Sequence, residues 1–157
     1  MLIGLIGLIG LVGLVGVVGA TSIQAQAKAS STANKTRQPS AARPGPAIYF
    51  RAPSNGSHVP QSFDVVFGLK NYGVAPAGTK IASTGHFHLL VDVDAPAPGS
   101  IVPADAKHIH FGAGQIETRI TLTPGRHKLI LLLADGEHRV ISQDLITPAI
   151  EVTVNRR

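Results

Sequence analysis

Residues 86–94 read His86-Phe87-His88-Leu89-Leu90-Val91-Asp92-Val93-Asp94. In an extended strand Phe87, Leu89, Val91 and Val93 fall on one side, and His86, His88, Leu90, Asp92 and Asp94 on the other. One side is built to enter a core; the other carries imidazoles and carboxylates. Strict alternation of this kind belongs to β-structure.

The same punctuation continues in both directions. Upstream, Ala47 to Phe50 forms a short strand ahead of a Pro53-Ser54-Asn55-Gly56 turn. Phe63, Val65, Phe67 and Leu69 then alternate with Asp64, Gly68 and Lys70, and a loop runs from Asn71 to Gly85. Downstream, a Pro/Ala/Gly loop leads to His108 and His110, which oppose Ile109 and Phe111. Ile116, Thr118, Ile120 and Leu122 mark another strand, closed by the Thr123-Pro124-Gly125 turn. Leu129 to Ala134 is apolar at every position, as a strand covered on both faces requires. Asp135-Gly136 is a hairpin signal, and Arg139–Ile141 and Ile150–Val154 supply the last strands. No stretch carries a helical apolar period. About seven short strands predict an all-β domain, an immunoglobulin-like antiparallel β-sandwich over residues 47–157.

The N-terminal part reads differently. Leu2 to Val18 contains no charged or polar side chain and ends ahead of Ala25-Gln26-Ala27, a small-x-small cleavage signal. Residues 1–27 are therefore expected to be a signal peptide cut after Ala27, although no Lys or Arg precedes the apolar run. The alternative is an uncleaved anchor. Gly4, Gly7, Gly10, Gly13, Gly16 and Gly19 recur every three residues, whereas helix-packing glycines are spaced by four. Residues 28–46 are Ala, Ser, Thr, Asn, Gln and Pro with scattered positive charge, a disordered spacer that can bury nothing. The expected location is extracytoplasmic, periplasmic or secreted, with membrane contact only through an uncleaved leader.

Composition removes several function classes. The 157 residues include no cysteine, so disulfides, thiolate metal sites, cysteine nucleophiles and a lipobox anchor are excluded. The net charge of +5 comes from Lys28, Lys35, Arg37 and Arg43 in the spacer and from Arg156 and Arg157. The rest is nearly balanced, which argues against a nucleic-acid partner. There is no nucleophile elbow, phosphate loop or paired-carboxylate motif, so an enzyme has little support.

Seven histidines remain, six of them between His86 and His138. Two His-x-His pairs, His86/His88 and His108/His110, each place two imidazoles on one strand face. Neutral imidazole suits Cu(II), Zn(II) and Ni(II). Without cysteine, and with Met1 the sole methionine, a blue-copper centre does not fit. The candidate metal ligands are His86, His88 and His110, with His127 as a fourth. Asp92, Gln115 and Glu117 are candidates for orienting the imidazoles. His138, just past the Asp-Gly turn, reads as an edge residue without a role. The plainer reading of the same face is a solvated or carboxylate-bonded surface. Two functions follow: a binding module that holds copper or zinc for storage, delivery or sensing, or an envelope interaction module for a protein or glycan. In the second, the histidines are structural hydrogen-bonding residues.

Five motifs in order carry a resemblance: Gly73 to Gly78, Gly85 to Asp92, His110 to Glu117, Leu122 to His127, and Leu131 to Asp135 followed by His138. Together they resemble the bacterial family called domain of unknown function 4399, from about Ile48 to Val154. The resemblance implies an exported β-sandwich domain with no established activity. It also implies motif histidines at His86, His88, His110, His127 and His138. Two positions depart from the family pattern: Phe87 stands where a third histidine is usual, and Arg139-Val140-Ile141 replaces a His-x-Pro-His run. His108 is additional to the pattern and ranks below His110.

Overall fold

The structure, a computed structural model, describes residues 44–156. The leader expected over 1–27, and the spacer up to residue 43, lie outside the described residues. The elements are β1 (Ala47–Ala52), β2 (Ser57–Val59), β3 (Ser62–Lys70), β4 (Gly73–Val74), β5 (Thr84–Val91), β6 (His108–His110), β7 (Glu117–Thr121), β8 (Gly125–Ala134) and β9 (Ile150–Val154). A 3-10 turn, Gln143–Leu145, precedes β9.

One sheet has the order β1-β3-β7; the other runs β2-β9-β8-β5-β4, with β6 also paired to β5. Lettered along the chain, the first sheet holds strands A, B and E, and the centre of the second holds C, F and G. That is the immunoglobulin-like sandwich. The pairings are antiparallel except β2 on β9 and β4 on β5. The three-residue β2 and the two-residue β4 escaped the sequence reading, because neither is long enough to show a period.

β5 and β8 are interior on both faces. Phe87 and Leu89 of β5 join Leu129, Leu131 and Leu133 of β8 in the core between the sheets, with Val65, Phe67 and Val152. Phe67 is the aromatic hub, its ring centroid 5.0 Å from that of Phe87 and 4.9 Å from that of Phe111. The opposite face of the same two strands forms a second, smaller core: Leu90, Ile130, Leu132 and Ala134 pack with Val102 and Val140. Those two valines come from the long loops that cover this face. The unbroken apolar run of β8 is thus explained by two cores rather than one.

Three expectations are corrected here. Arg139–Ile141 is not a strand: it makes isolated bridges, Arg139 to Ile101 and Val140 to Ala134, before the chain turns into Gln143–Leu145. Val140 is drawn into the second core instead of extending a ladder. β5 ends at Val91 because Asp92 adopts φ 58°, outside the extended region. The histidine face of β5 is not a solvated surface, since the two long loops close over it.

Gly85 shows how closely β5 and β8 approach beside that face. A Cβ there would meet the Ala134 carbonyl oxygen at 2.5 Å and Ile141 Cδ1 at 2.8 Å. Backbone cannot yield as a flexible side chain does. We predict that Gly85→Ala destabilises the domain by about 1–3 kcal/mol, read as a lower urea midpoint. An unchanged midpoint would show that the two strands can separate without cost.

Candidate metal centre

The alternation of β5 puts His86 and His88 side by side on its outer face, opposite Ala134 and Leu132 of β8. β6 delivers the next ring. Its antiparallel register pairs His110 with His88, which sets their Cβ atoms about 4.5–5.5 Å apart on one face. Gly112 keeps this ring's space open, because a Cβ on it would fall on the His110 imidazole.

His138 arrives from a tight turn rather than a strand. The Asp135 carboxylate Oδ1 accepts from the backbone N–H of Glu137 at 2.8 Å and of Arg139 at 2.9 Å. The Asp135 carbonyl accepts from the His138 N–H at 3.0 Å. His138 itself takes φ 64°, a left-handed conformation that costs a non-glycine residue roughly 1–3 kcal/mol. Two loops hold it there. Val102 N–H donates to the His138 carbonyl at 2.9 Å. The Gly73-to-Gly78 motif ties its neighbours, with Ala77 N–H on the Gly112 carbonyl and Gly78 N–H on the Gly136 carbonyl, both at 2.9 Å.

Four imidazoles therefore meet. Ring centroids are separated by 4.9 Å for His86/His88, His86/His110 and His86/His138, and by 4.8 Å for His110/His138. Candidate donor nitrogens of His86, His110 and His138 all lie within 4.8 Å of one another. His88 Nε2 is 3.0 Å from His86 Nε2, and His138 Nε2 is 3.2 Å from His110 Nε2. Four nitrogens about 2.05 Å from a tetrahedral centre would be about 3.3 Å apart. Those two edges are near that spacing, but the set whose donor atoms all approach one another is the trio His86, His110 and His138, with the His88 and His138 ring centroids 5.9 Å apart.

The group grades from interior to surface. His86 and His88 are 0% and 2% exposed, His138 is half-buried and His110 is exposed. Burial, followed by the neighbouring rings, pulls His86 down to about 4 and His88 to about 3; Asp135 partly opposes the shift on His86. Burial and His138 also lower His110. Near neutral pH the buried pair is uncharged and keeps lone pairs to offer. The Nδ1 atoms of both have no hydrogen-bond partner, so close packing and the hydrogen bond between their Nε2 atoms, not a carboxylate or carbonyl, fix their rings. Leaving such groups unpaired costs about 1–3 kcal/mol each, a penalty more in keeping with a functional site than with packing for stability.

The remaining candidates lie elsewhere. His127 shares the parity of Leu129 and Leu131 on β8, hence the opposite sheet face, and it pairs with Val152 at the far end of the strand. It stands seven residues from Ala134, roughly 24 Å along the strand. Its Nδ1 lies 2.8 Å from Asp92 Oδ2 and its Nε2 2.9 Å from the Thr123 carbonyl. Two acceptors require two ring protons. Burial lowers its pKa but these hydrogen bonds outweigh it and raise it overall. A ring protonated on both nitrogens has no lone pair for a metal. Asp92 is committed to His127 and to the Lys128 N–H. Gln115 Oε1 accepts from Ala113 N–H, and Glu117 is exposed on β7 in the other sheet. His138, read from sequence as lacking a role, occupies the place given to His127, and Asp135 is the carboxylate that organises the site. Its Asp-Gly-x-His spacing and the family motif that places a histidine there were the available signals.

Residues 65–155 match the family described as Domain of unknown function (DUF4399). The chain belongs to this family. Among solved structures, the DUF4399 chain is similar to a fibronectin(III)-like module of CbhA from Clostridium thermocellum. The two are 10% identical with a TM-score of 0.36, over 69% of this chain and 95% of that one. No curated protein matches. Of the five histidines in the DUF4399 motifs, four converge and His127 stands apart.

The buried pair gives the metal-free DUF4399 domain a defined response to acid. An unfolded imidazole titrates near 6.5, whereas folded His86 and His88 titrate near 4 and 3. Below about pH 6.5 the unfolded chain binds more protons. Stability is then full above that pH and falls as pH drops, by up to about 1.4 kcal/mol per pH unit for each histidine. His127 acts in the opposite sense, its contribution present at low pH and lost as pH rises through its raised value. The denaturation midpoint should fall between pH 7 and 4.5, and His88→Leu should flatten that fall. A midpoint that is level over this range in the native sequence would show that these imidazoles are not held neutral.

Proposed function

We propose that this domain is an extracytoplasmic binding module for a divalent transition-metal ion, Cu(II) or Zn(II), serving its storage, delivery or sensing. The observation that supports this reading is the convergence of His86, His88, His110 and His138 from two strands and a turn. Two of these imidazoles are interior and neutral. The donor set is all nitrogen, which suits borderline ions and not Cu(I). Imidazole ligands suit Zn(II), while the general affinity order favours Cu(II). Burial of two ligands and exposure of two leaves the ion a route in. The extracytoplasmic placement rests on the leader read from residues 1–27.

Isothermal titration of Cu(II) and Zn(II) into metal-free, untagged protein at neutral pH tests it. One ion per chain is expected with Kd below about 1 µM, a binding free energy of about −8 kcal/mol or stronger. His86→Asn and His138→Asn should each weaken binding at least about tenfold, or about 1.4 kcal/mol; His127→Asn should leave it unchanged. Saturation at about 100 times Kd should stabilise the native protein by about 2.7 kcal/mol. If His86→Asn lowers the melting temperature equally with and without metal, and no ion binds tightly, the histidines are structural and the module has a protein or glycan partner.

A further inference from the structure

His108 is a histidine on the same sheet face that the four-imidazole group leaves out. It lies on β6 two residues before His110 and opposite Leu90, so it shares the face of β5 and β6 that carries the group. Its side chain is 8% exposed, and its Nδ1 lies 2.8 Å from Asp105 Oδ1. A carboxylate only accepts, so Nδ1 carries a proton, and in the neutral ring the lone pair is on Nε2. That Nε2 has no hydrogen-bond partner among the described residues. Asp105 is itself held: the same Oδ1 accepts from the backbone N–H groups of Lys107 at 2.8 Å and His108 at 3.1 Å. A carboxylate that fixes the tautomer and orientation of an imidazole is the usual support of a metal-ligating histidine.

The placement is equally telling. A shallow surface hollow lies between the loop Ala104–Ala106 and β6, and both His108 and His110 line it. His110 therefore faces two ways, to the hollow and to the buried rings of His86 and His88. We propose that His108, oriented by Asp105, forms with His110 an outer landing position for the same divalent transition ion. From there the ion passes to the inner ligands by exchange around the shared His110. This rests on the metal-binding reading above.

A transit position has a kinetic signature that a structural residue lacks. It lowers the barrier in both directions and leaves the end states alone, so its loss slows association and dissociation by one factor. Stopped-flow mixing of Cu(II) or Zn(II) with the metal-free protein, and chelator-driven release, read the two rates. In His108→Gln both should fall by about tenfold, with Kd changed less than about twofold. Asp105→Asn is at an exposed position, 53% accessible, and keeps an acceptor for the turn. It should move both rates in the same direction by a smaller factor, and so reports even if His108→Gln folds poorly. Unchanged rates in both variants would overturn the landing position while leaving the inner site standing. So would a loss of affinity with an unchanged on-rate, since that makes His108 a permanent ligand or a packing residue. Failure of the native protein to bind either ion would remove the inner site and this inference together.

Discussion

The pairing of β5 with β8 is the constraint on which the other features depend. Six consecutive residue pairs, from His86 with Ala134 to Val91 with Leu129, fix which side chains share a face. Because the immunoglobulin-like order puts these strands in the middle of the larger sheet, both faces of the ladder are enclosed. One face meets the second sheet and fills with phenylalanine and leucine. The other meets loops, which supply only Val102 and Val140 as large apolar partners at full burial. The site sits at the margin of that thinner core. There the burial is deep enough to keep imidazoles neutral, and the loop cover is incomplete enough to leave two of them at the surface.

The loops are therefore part of the site's architecture. Asp135 folds the turn that presents His138, and Ala77 and Gly78 bind the carbonyls of Gly112 and Gly136. The Gly-Val-Ala-Pro-Ala-Gly motif, featureless as a loop in sequence, is the clip joining the segment after His110 to the segment before His138. A motif outside the ligand set thus has a physical task in holding it.

Much of the fold was legible because β3 and β5 alternate cleanly and β8 is apolar throughout. His86, His88 and His110 were legible as one face by the same alternation. His127 was misplaced because a strand apolar at every position hides its own parity: nothing in Leu129 to Ala134 says which residues face the first core. Only the register against β5 settles it. His138 was hidden because its location depends on a left-handed residue and on hydrogen bonds from segments some sixty and thirty-six residues away in the chain, Gly78 on Gly136 and Val102 on His138. The short strands β2 and β4 were hidden for a related reason, since their pairing is set by partners distant in sequence.

The division between a buried and an exposed half of the site has a consequence for how such a domain changes over generations. His86 and His88 are at once ligand candidates and interior residues, so replacing either disturbs packing whether or not an ion is needed. His110 and His138 carry no comparable burden. In a lineage that no longer needs the ion, the outer pair is free to drift to any polar residue, while the inner pair can give way only to side chains that refill the same buried volume. Across relatives, apolar residues at the two inner positions would then mark the loss of the ion more plainly than changes at the outer two.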